Sequence, residues 1–333
     1  MIEKRYIATF EDGTFKKLFL MFIQYKQGLG FKYDGPAQNV LIHLNKQLNT
    51  YHLDFPVLRQ EAVEDLAARR NQEAPATQSK RISLLRHFGE FLNHMGYEAY
   101  IYPHHCNVKF SDGFAPYIFS HQQINAIILA ADSLEFTMRS PHCHLVWPAF
   151  IRVLYGCGLR LTEALSLKVL NVDLATGVLY IEKSKNGTSR YVPSSASLKD
   201  FLEEYAIKMN LNMTGPGYFF PAPDNGRYGA NTAYQRVKKL YAKAGIPILS
   251  NGRYPRVHDV RHSFSCHALE KMQQDGFDLY YSLPILCAYL GHQGIRDTER
   301  YLRLPSFQYG AFIEAVTSVL GGIVPEVTDD EKN

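Results

Sequence analysis

Cysteine is scarce in this 333-residue chain. There are five, Cys106, Cys143, Cys157, Cys266 and Cys287, at scattered spacings and with no Cys-x-x-Cys pair. An odd, scattered set argues against a disulfide framework and fits free thiols in a reducing cytoplasm. Long apolar runs are missing as well. The longest, residues 18–23 and 126–131, fall far short of the roughly 18 apolar residues that a membrane-spanning helix needs, so no membrane partner is expected. The opening MIEKRYIATFEDG has no apolar stretch leading to small residues, and no secretion signal is read there. A large excess of charge is absent too: 36 Lys and Arg stand against 32 Asp and Glu, for a net charge of +4. With 46% hydrophobic residues, disorder is excluded as the dominant state.

What is present is enough for two domains, at about 150 residues each. Residues 1–110 carry 14 basic against 11 acidic side chains, and the acid is concentrated in the last eight residues, EVTDDEKN. A mildly basic body permits a nucleic-acid partner without requiring one. The first hundred residues have helical periodicity over 14–27, 37–53, 59–71 and 77–94, which predicts a four-helix unit. Residues 103–115, PHHCNVKFSDGFA, break that period and read as a linker. Helices resume at Ser120, a good N-cap, and again over 143–157. The period then changes: VLYIEK, an Asn186-Gly187 turn and SRYVP predict a small hairpin with a third strand nearby. Helices return over 197–209, over 234–244 and from His258 onward. The expected fold class is mainly α with a small antiparallel β-sheet, split into domains 1–110 and 116–333.

Four segments of the second domain carry chemistry-bearing side chains. They are GCGLRLTEALSL with Arg160, SKNGTSRYVP with Lys185, HDVRHSF with His258 and Arg261, and LGHQGIRDTERYLRL with His292 and Tyr301. Each alone is weak: an arginine at a helix start is usually a surface ion pair. Together they are the parts needed to attack a phosphodiester without a metal. Arginine neutralises the non-bridging oxygens with a planar, permanently charged fork. A tyrosine is only about one part in a thousand phenolate at neutral pH, so as a nucleophile it needs a base or a cationic site. Histidine can serve as that base, and a lysine can protonate a leaving alkoxide.

The four segments, in this order, resemble the tyrosine recombinase (phage integrase) family of site-specific DNA recombinases. The resemblance rests on Gly158-Leu159-Arg160-Leu161-Thr162-Glu163, on Lys185 ahead of Val192-Pro193, on His258 to His262, and on Leu290-Gly291-His292 with Tyr301 nine positions after His292. Val260 stands where the family usually has Leu. The likeness covers roughly 116–321, and a looser one extends over the N-terminal helices through TQSKRISLLRHFGEFLNHMG.

The resemblance implies a core-binding domain followed by a catalytic domain, together forming a C-shaped clamp. Tyr301 would attack the scissile phosphate to give a 3′-phosphotyrosine and a free 5′-hydroxyl. Arg160 and Arg261 would hold the non-bridging oxygens, assisted by His292. His258 would act as general base, and Lys185 would protonate the leaving oxygen. Lys183 competes for that last role, though counting back from Val192-Pro193 favours Lys185. Two rounds of exchange would pass through a Holliday junction without ATP, other cofactor or metal. The implied partners are double-stranded DNA with a specific recombination site and a homo-tetramer joined through a C-terminal helix, here 306–320, with a sister recombinase or DNA-bending protein as a further candidate. The implied setting is the cytoplasm, with the chain acting on the chromosome or a mobile element of a bacterium or phage.

Other assignments come from residue types. Glu163 is read as structural support, Asp259 as a helix cap and His262 as packing or as support for a neighbouring site residue. His104, His105 and Cys106, and His142, Cys143 and His144, lack the spacing of a tetrahedral metal site. Lys80, Arg81 and Arg86 on one helix, and Arg253 and Arg256 ahead of His258, are candidates for DNA phosphate contact, although a solvated helix face explains the first three equally well. Two other readings stay open: a type IB topoisomerase or telomere resolvase, and a DNA-binding regulator or accessory subunit that has lost catalysis.

Overall fold

The computed structural model describes residues 9–106, 116–182, 189–292 and 294. It divides into two compact units, Met1–Phe114 and Ala115–Asn333.

Among the described residues the first unit contains the α-helices α1 (Lys16–Gly28), α2 (Gly35–Asn49), α3 (Gln60–Ala67) and α4 (Pro75–His94). Phe15, Leu18, Phe19, Phe22 and Ile23 recur at helical spacing along α1 and its lead-in, and all are buried. They meet Leu85, Phe88, Phe91 and Leu92 of α4 in one core. The Phe19 and Phe88 rings stack at 4.0 Å between centroids. Two helices stop earlier than their periodicity predicts. α2 ends at Asn49 rather than residue 53 because the chain turns there, with Thr50 and Tyr51 donating back to Gln47 and Leu48. Just beyond, the Leu53 carbonyl accepts from the Thr14 hydroxyl. α3 ends at Ala67 rather than residue 71 because Ala68 becomes extended and its carbonyl is taken by Arg81.

Arg81 and Arg86 correct the expectation of a charged outer face on α4. Lys80 is exposed, but Arg81 and Arg86 are buried. Arg81 pairs with Glu73 at 2.6 Å. Arg86 donates to the carbonyls of Tyr102 at 2.8 Å and Pro103 at 3.2 Å. Both are bonded to partners inside their own unit. Of the expected linker, the Pro103 carbonyl accepts from Arg86, His104–Cys106 forms a short 3-10 turn, and 107–115 lie outside the described residues.

The second unit is built from α5 (His121–Asp132), α6 (Cys143–Gly156), α7 (Leu161–Leu165), β1 (Val172–Asp173), β2 (Val178–Ile181), β3 (Arg190–Pro193), α8 (Ala196–Lys208), α9 (Ala230–Lys243), α10 (Val257–Gln274) and α11 (Leu279–Leu290). Ser120 caps α5 by accepting from the Gln123 N–H at 3.2 Å, while the Gln123 side chain returns the bond to the Ser120 N–H. The strands form one antiparallel sheet in the order β1-β2-β3, with Leu179 opposite Val192 and Ile181 opposite Arg190. The chain is therefore mainly α with a small antiparallel sheet. α6 is apolar on nearly every face, as a central helix should be, and α5, α8 and α10 pack on it. Trp147, the one tryptophan of the sequence, lies fully buried at its middle. Among the described residues, no helix is long and apolar enough to cross a membrane.

Candidate active site

The site forms where three chain breaks meet. α6 stops at Gly156-Cys157-Gly158, and Gly158 takes φ +56°. A Cβ there would lie 2.3 Å from the Phe264 ring of α10, so glycine is needed both for the turn and for the close approach. The turn leaves Arg160 extended, just ahead of α7. Its backbone N–H donates to Glu163 Oε2 at 2.9 Å, and its guanidinium donates to Glu163 Oε1 at 2.8 Å.

α10 supplies the second arginine. Asp259, buried in the first turn, accepts from the Arg256 N–H at 2.7 Å and from the Arg256 guanidinium at 2.8 Å. That pairing satisfies a helix N-terminus with a carboxylate, which the helix dipole also favours. It fixes where His258 and Arg261 leave the helix. Arg261 is 1% exposed. It reaches across to the end of α6, donating to the Gly158 carbonyl at 2.8 Å, and to the end of α11, donating to the Leu290 carbonyl at 2.7 Å. Helix C-termini present such unpaired carbonyls, and a buried cation there is doubly favoured. Arg261 also lies 3.7 Å from Glu163 Oε2.

The third break is the end of α11. Gly291 adopts φ +66°, so the His292 N–H folds back onto the Cys287 carbonyl at 3.1 Å. The Gly291 carbonyl lies 3.5 Å from the Arg160 guanidinium. Arg160, Arg261 and the turn that carries His292 are thus brought together around Glu163. His258 stands three residues before Arg261, its ring edge-on to His262 at 4.7 Å.

Sequence reasoning missed Arg190. It opens β3, shares its buried face with Val192, and binds both oxygens of Glu163 at 3.1 and 2.9 Å. Its Nε donates to the Tyr289 carbonyl at 2.8 Å. A usable signal was present: period-two alternation puts residue 190 on the same face as the apolar Val192.

The electrostatics follow from this crowding. Burial pushes the Glu163 carboxyl up, but Arg190 and Arg160 more than reverse that and bring it down to about 2. Burial, helped by the neighbouring His262, Arg261 and Arg256, lowers His258 to about 4. Its imidazole is therefore neutral near pH 7, as a proton acceptor must be. Three guanidinium groups surround one carboxylate here, which leaves the site with excess positive charge. A cleft of about 520 Å³ opens beside Arg160, lined also by Lys168, Asn171 and Tyr180. Of the three arginines Arg160 alone borders this cleft, and Glu163 and Glu182 line it too; an anion entering there would meet the Arg160 fork already held in place, a group suited to charge developing on a phosphate.

Of the remaining expected residues, Arg253 and Arg256 are exposed on the approach to α10, and Lys80 is exposed on α4. Lys183, Lys185, Tyr301 and the segment 306–320 lie outside the described residues.

Comparison with known proteins bears on the same stretch. Residues 118–306, more than half of the chain, match the family model described as the Phage integrase family. This chain belongs to the phage integrase family. It is a tyrosine-type DNA recombinase, and its relatives carry matching names. The y4rB protein of Sinorhizobium fredii, named as an integrase/recombinase, is 29% identical over 297 residues, covering 87% of this chain and 93% of that protein. The tyrosine recombinase XerC of Erythrobacter litoralis is 27% identical over 282 residues, covering 84% and 86%. The phage integrase fold is seen in a crystal structure of a lambda integrase tetramer bound to a Holliday junction. It aligns with a TM-score of 0.64 at 14% identity, over 87% of this chain and 78% of that one.

Proposed function

We propose that this chain breaks and rejoins double-stranded DNA at a specific recombination site through a covalent tyrosine intermediate. One observation carries the reading: Arg160, just ahead of α7, and Arg261 of α10 converge on Glu163 beside the turn that leads into His292. In the proposed chemistry these two arginines hold the non-bridging oxygens of the scissile phosphate, and His292 adds a hydrogen bond. His258, neutral near pH 7, takes the proton of the Tyr301 phenol. Tyr301 attacks the phosphorus, the phosphodiester bond to the 5′-oxygen breaks, and Lys185 protonates that oxygen. The product is a 3′-phosphotyrosine. Attack by a 5′-hydroxyl of a second DNA reverses the step, so the bond is resealed without an external energy source. No metal or other cofactor takes part.

In this reading residues 1–110 bind the duplex and residues 116–333 carry the reaction. Four copies assemble on two DNA sites, with the segment 306–320 of one docking on the next. The tetramer named for lambda integrase supports that assembly, and the integrase names of the relatives support a role in DNA integration, excision or transposition.

A nicked substrate that loses its 5′-hydroxyl fragment after cleavage tests the proposal. The wild-type chain traps as a covalent protein–DNA adduct, with or without EDTA. Tyr301→Phe binds the same DNA and traps nothing. An adduct in Tyr301→Phe, or a strict need for Mg²⁺, overturns the mechanism.

A further inference from the structure

Arg190 has no part in the chemistry just described, yet it lies at the centre of the frame that carries it. Its side chain is 10% exposed and that of Glu163 is 4% exposed. Its fork takes both carboxylate oxygens of Glu163 at 3.1 and 2.9 Å, and its Nε takes the Tyr289 carbonyl at 2.8 Å. Two bonds to one carboxylate fix its plane, and the third bond fixes the plane of the guanidinium relative to the last turn of α11. With Glu163 held in that plane, Oε1 meets the Arg160 guanidinium and Oε2 meets the Arg160 N–H. The shaft of Arg190 also packs on Gly291: a Cβ there would lie 3.0 Å from Arg190 Cδ. One side chain thus ties β3 to the start of α7 and to the turn before His292.

We propose that Arg190 is a positioning residue for strand cleavage, aligning Arg160 through Glu163 and the His292 turn through Tyr289 and Gly291, without contacting DNA itself. The inference rests on the cleavage reaction proposed above. It also makes β3, the strand that follows the segment containing Lys185, part of the same frame. Lysine cannot replace this arginine, because a single ammonium has no planar fork with which to bridge two oxygens and a carbonyl at fixed angles.

The test uses the full-length chain and measures three quantities for each variant: trapping rate on the nicked substrate, Kd for that DNA, and the unfolding midpoint. Arg190→Lys and Arg190→Gln should cleave roughly 10- to 100-fold more slowly, the scale expected when a reacting group is misplaced by about an ångström. Kd should stay within about twofold. Arg190→Lys, which keeps the buried charge, covers the case in which Arg190→Gln fails to fold. In a double-mutant cycle with Glu163→Gln, the paired variant should lose no more rate than the worse single variant, because both act through one link. Wild-type cleavage in Arg190→Lys overturns the inference. So do multiplicative losses in the cycle, which would mark an independent contact with DNA, and a rate that falls only in step with Kd or with the folded fraction. If the wild-type chain itself forms no adduct, it is the cleavage reading that fails.

Discussion

Each unit of this chain buries an arginine–glutamate cluster, and the two differ in how many guanidinium groups pair with the carboxylate. In the first unit Arg81 donates to Glu73 at 3.1 and 2.6 Å and to the Ala68 carbonyl at 2.9 Å. One guanidinium bonds the carboxylate directly, both nearly fully buried, with Arg70 close enough to act on both, and the pair closes the end of α3. In the second unit Glu163 is shared by Arg160 and Arg190, with Arg261 at 3.7 Å. Desolvating several like charges is costly. A cluster that gathers three guanidinium groups around one carboxylate, with Arg160 beside an open cleft, is poorly suited to stability alone and suited to an anionic group at Arg160. The first cluster closes a helix end, while the second also holds Arg160 at the edge of a cleft.

The sharpest way to break that contrast is by lysine substitution. Arg160→Lys or Arg261→Lys should slow cleavage by about 100-fold or more, near 3 kcal/mol of transition-state stabilisation, in single-turnover trapping. Arg81→Lys should leave the rate per folded molecule unchanged. An equal loss in Arg81→Lys would erase the distinction.

Removing each carboxylate comes next. Glu73→Gln and Glu163→Gln both leave buried guanidinium groups without their counter-charge, and each should cost about 3–5 kcal/mol. Trp147 belongs to the second unit, so denaturant unfolding followed by tryptophan fluorescence should register the Glu163 change directly. A Trp147 transition that shifts as much in Glu73→Gln would show that the two clusters are not energetically separate.

Acid sharpens the comparison further. Burial and the stacked His121 ring lower His267 to about 4, and His258 is lowered to a similar value. Both are held neutral in the folded chain, whereas the unfolded chain takes up protons near pH 6.5. Their contribution is therefore present above about pH 6.5 and is lost as pH falls to about 4, up to about 3 kcal/mol for His267. Glu163, lowered from 4.5 to about 2, contributes above about 4.5, and that share is lost as pH falls further towards 2. Midpoints reported by Trp147 should decline through both windows. His267→Gln should flatten the upper one and Glu163→Gln the lower. The smallest effect concerns Lys80, the exposed member of the α4 trio: Lys80→Ala should weaken DNA binding less than about tenfold and reduce the salt dependence by about one counterion.

Much of the architecture was legible in advance. Phe15, Leu18, Phe19, Phe22 and Ile23 announce α1 by spacing alone, Ser120 marks the start of α5, and the apolar alternation around Asn186-Gly187 announces the strands that became β2 and β3. The four motif segments pointed to the phage integrase family before any geometry was known. Arg81 and Arg86 were misplaced for a local reason. Arg81 stands four residues before Leu85 and Arg86 four after Ile82, so both border the apolar stripe, and which border residues turn inward depends on what waits there. For Arg81 it was the Ala68 carbonyl and Glu73, and for Arg86 it was the carbonyls of Tyr102 and Pro103.

The sequence by itself determined which helices and strands form and which side chains are available for chemistry, because periodicity, capping and turn preferences act over a few residues. Tertiary structure decided which cations are paired and which face a cleft. Glu163 meets Arg190 across 27 positions, and Arg261 meets Gly158 across 103. Hydrogen-bond partners that far apart in the chain depend on where helices end against one another in space, and no local pattern encodes that.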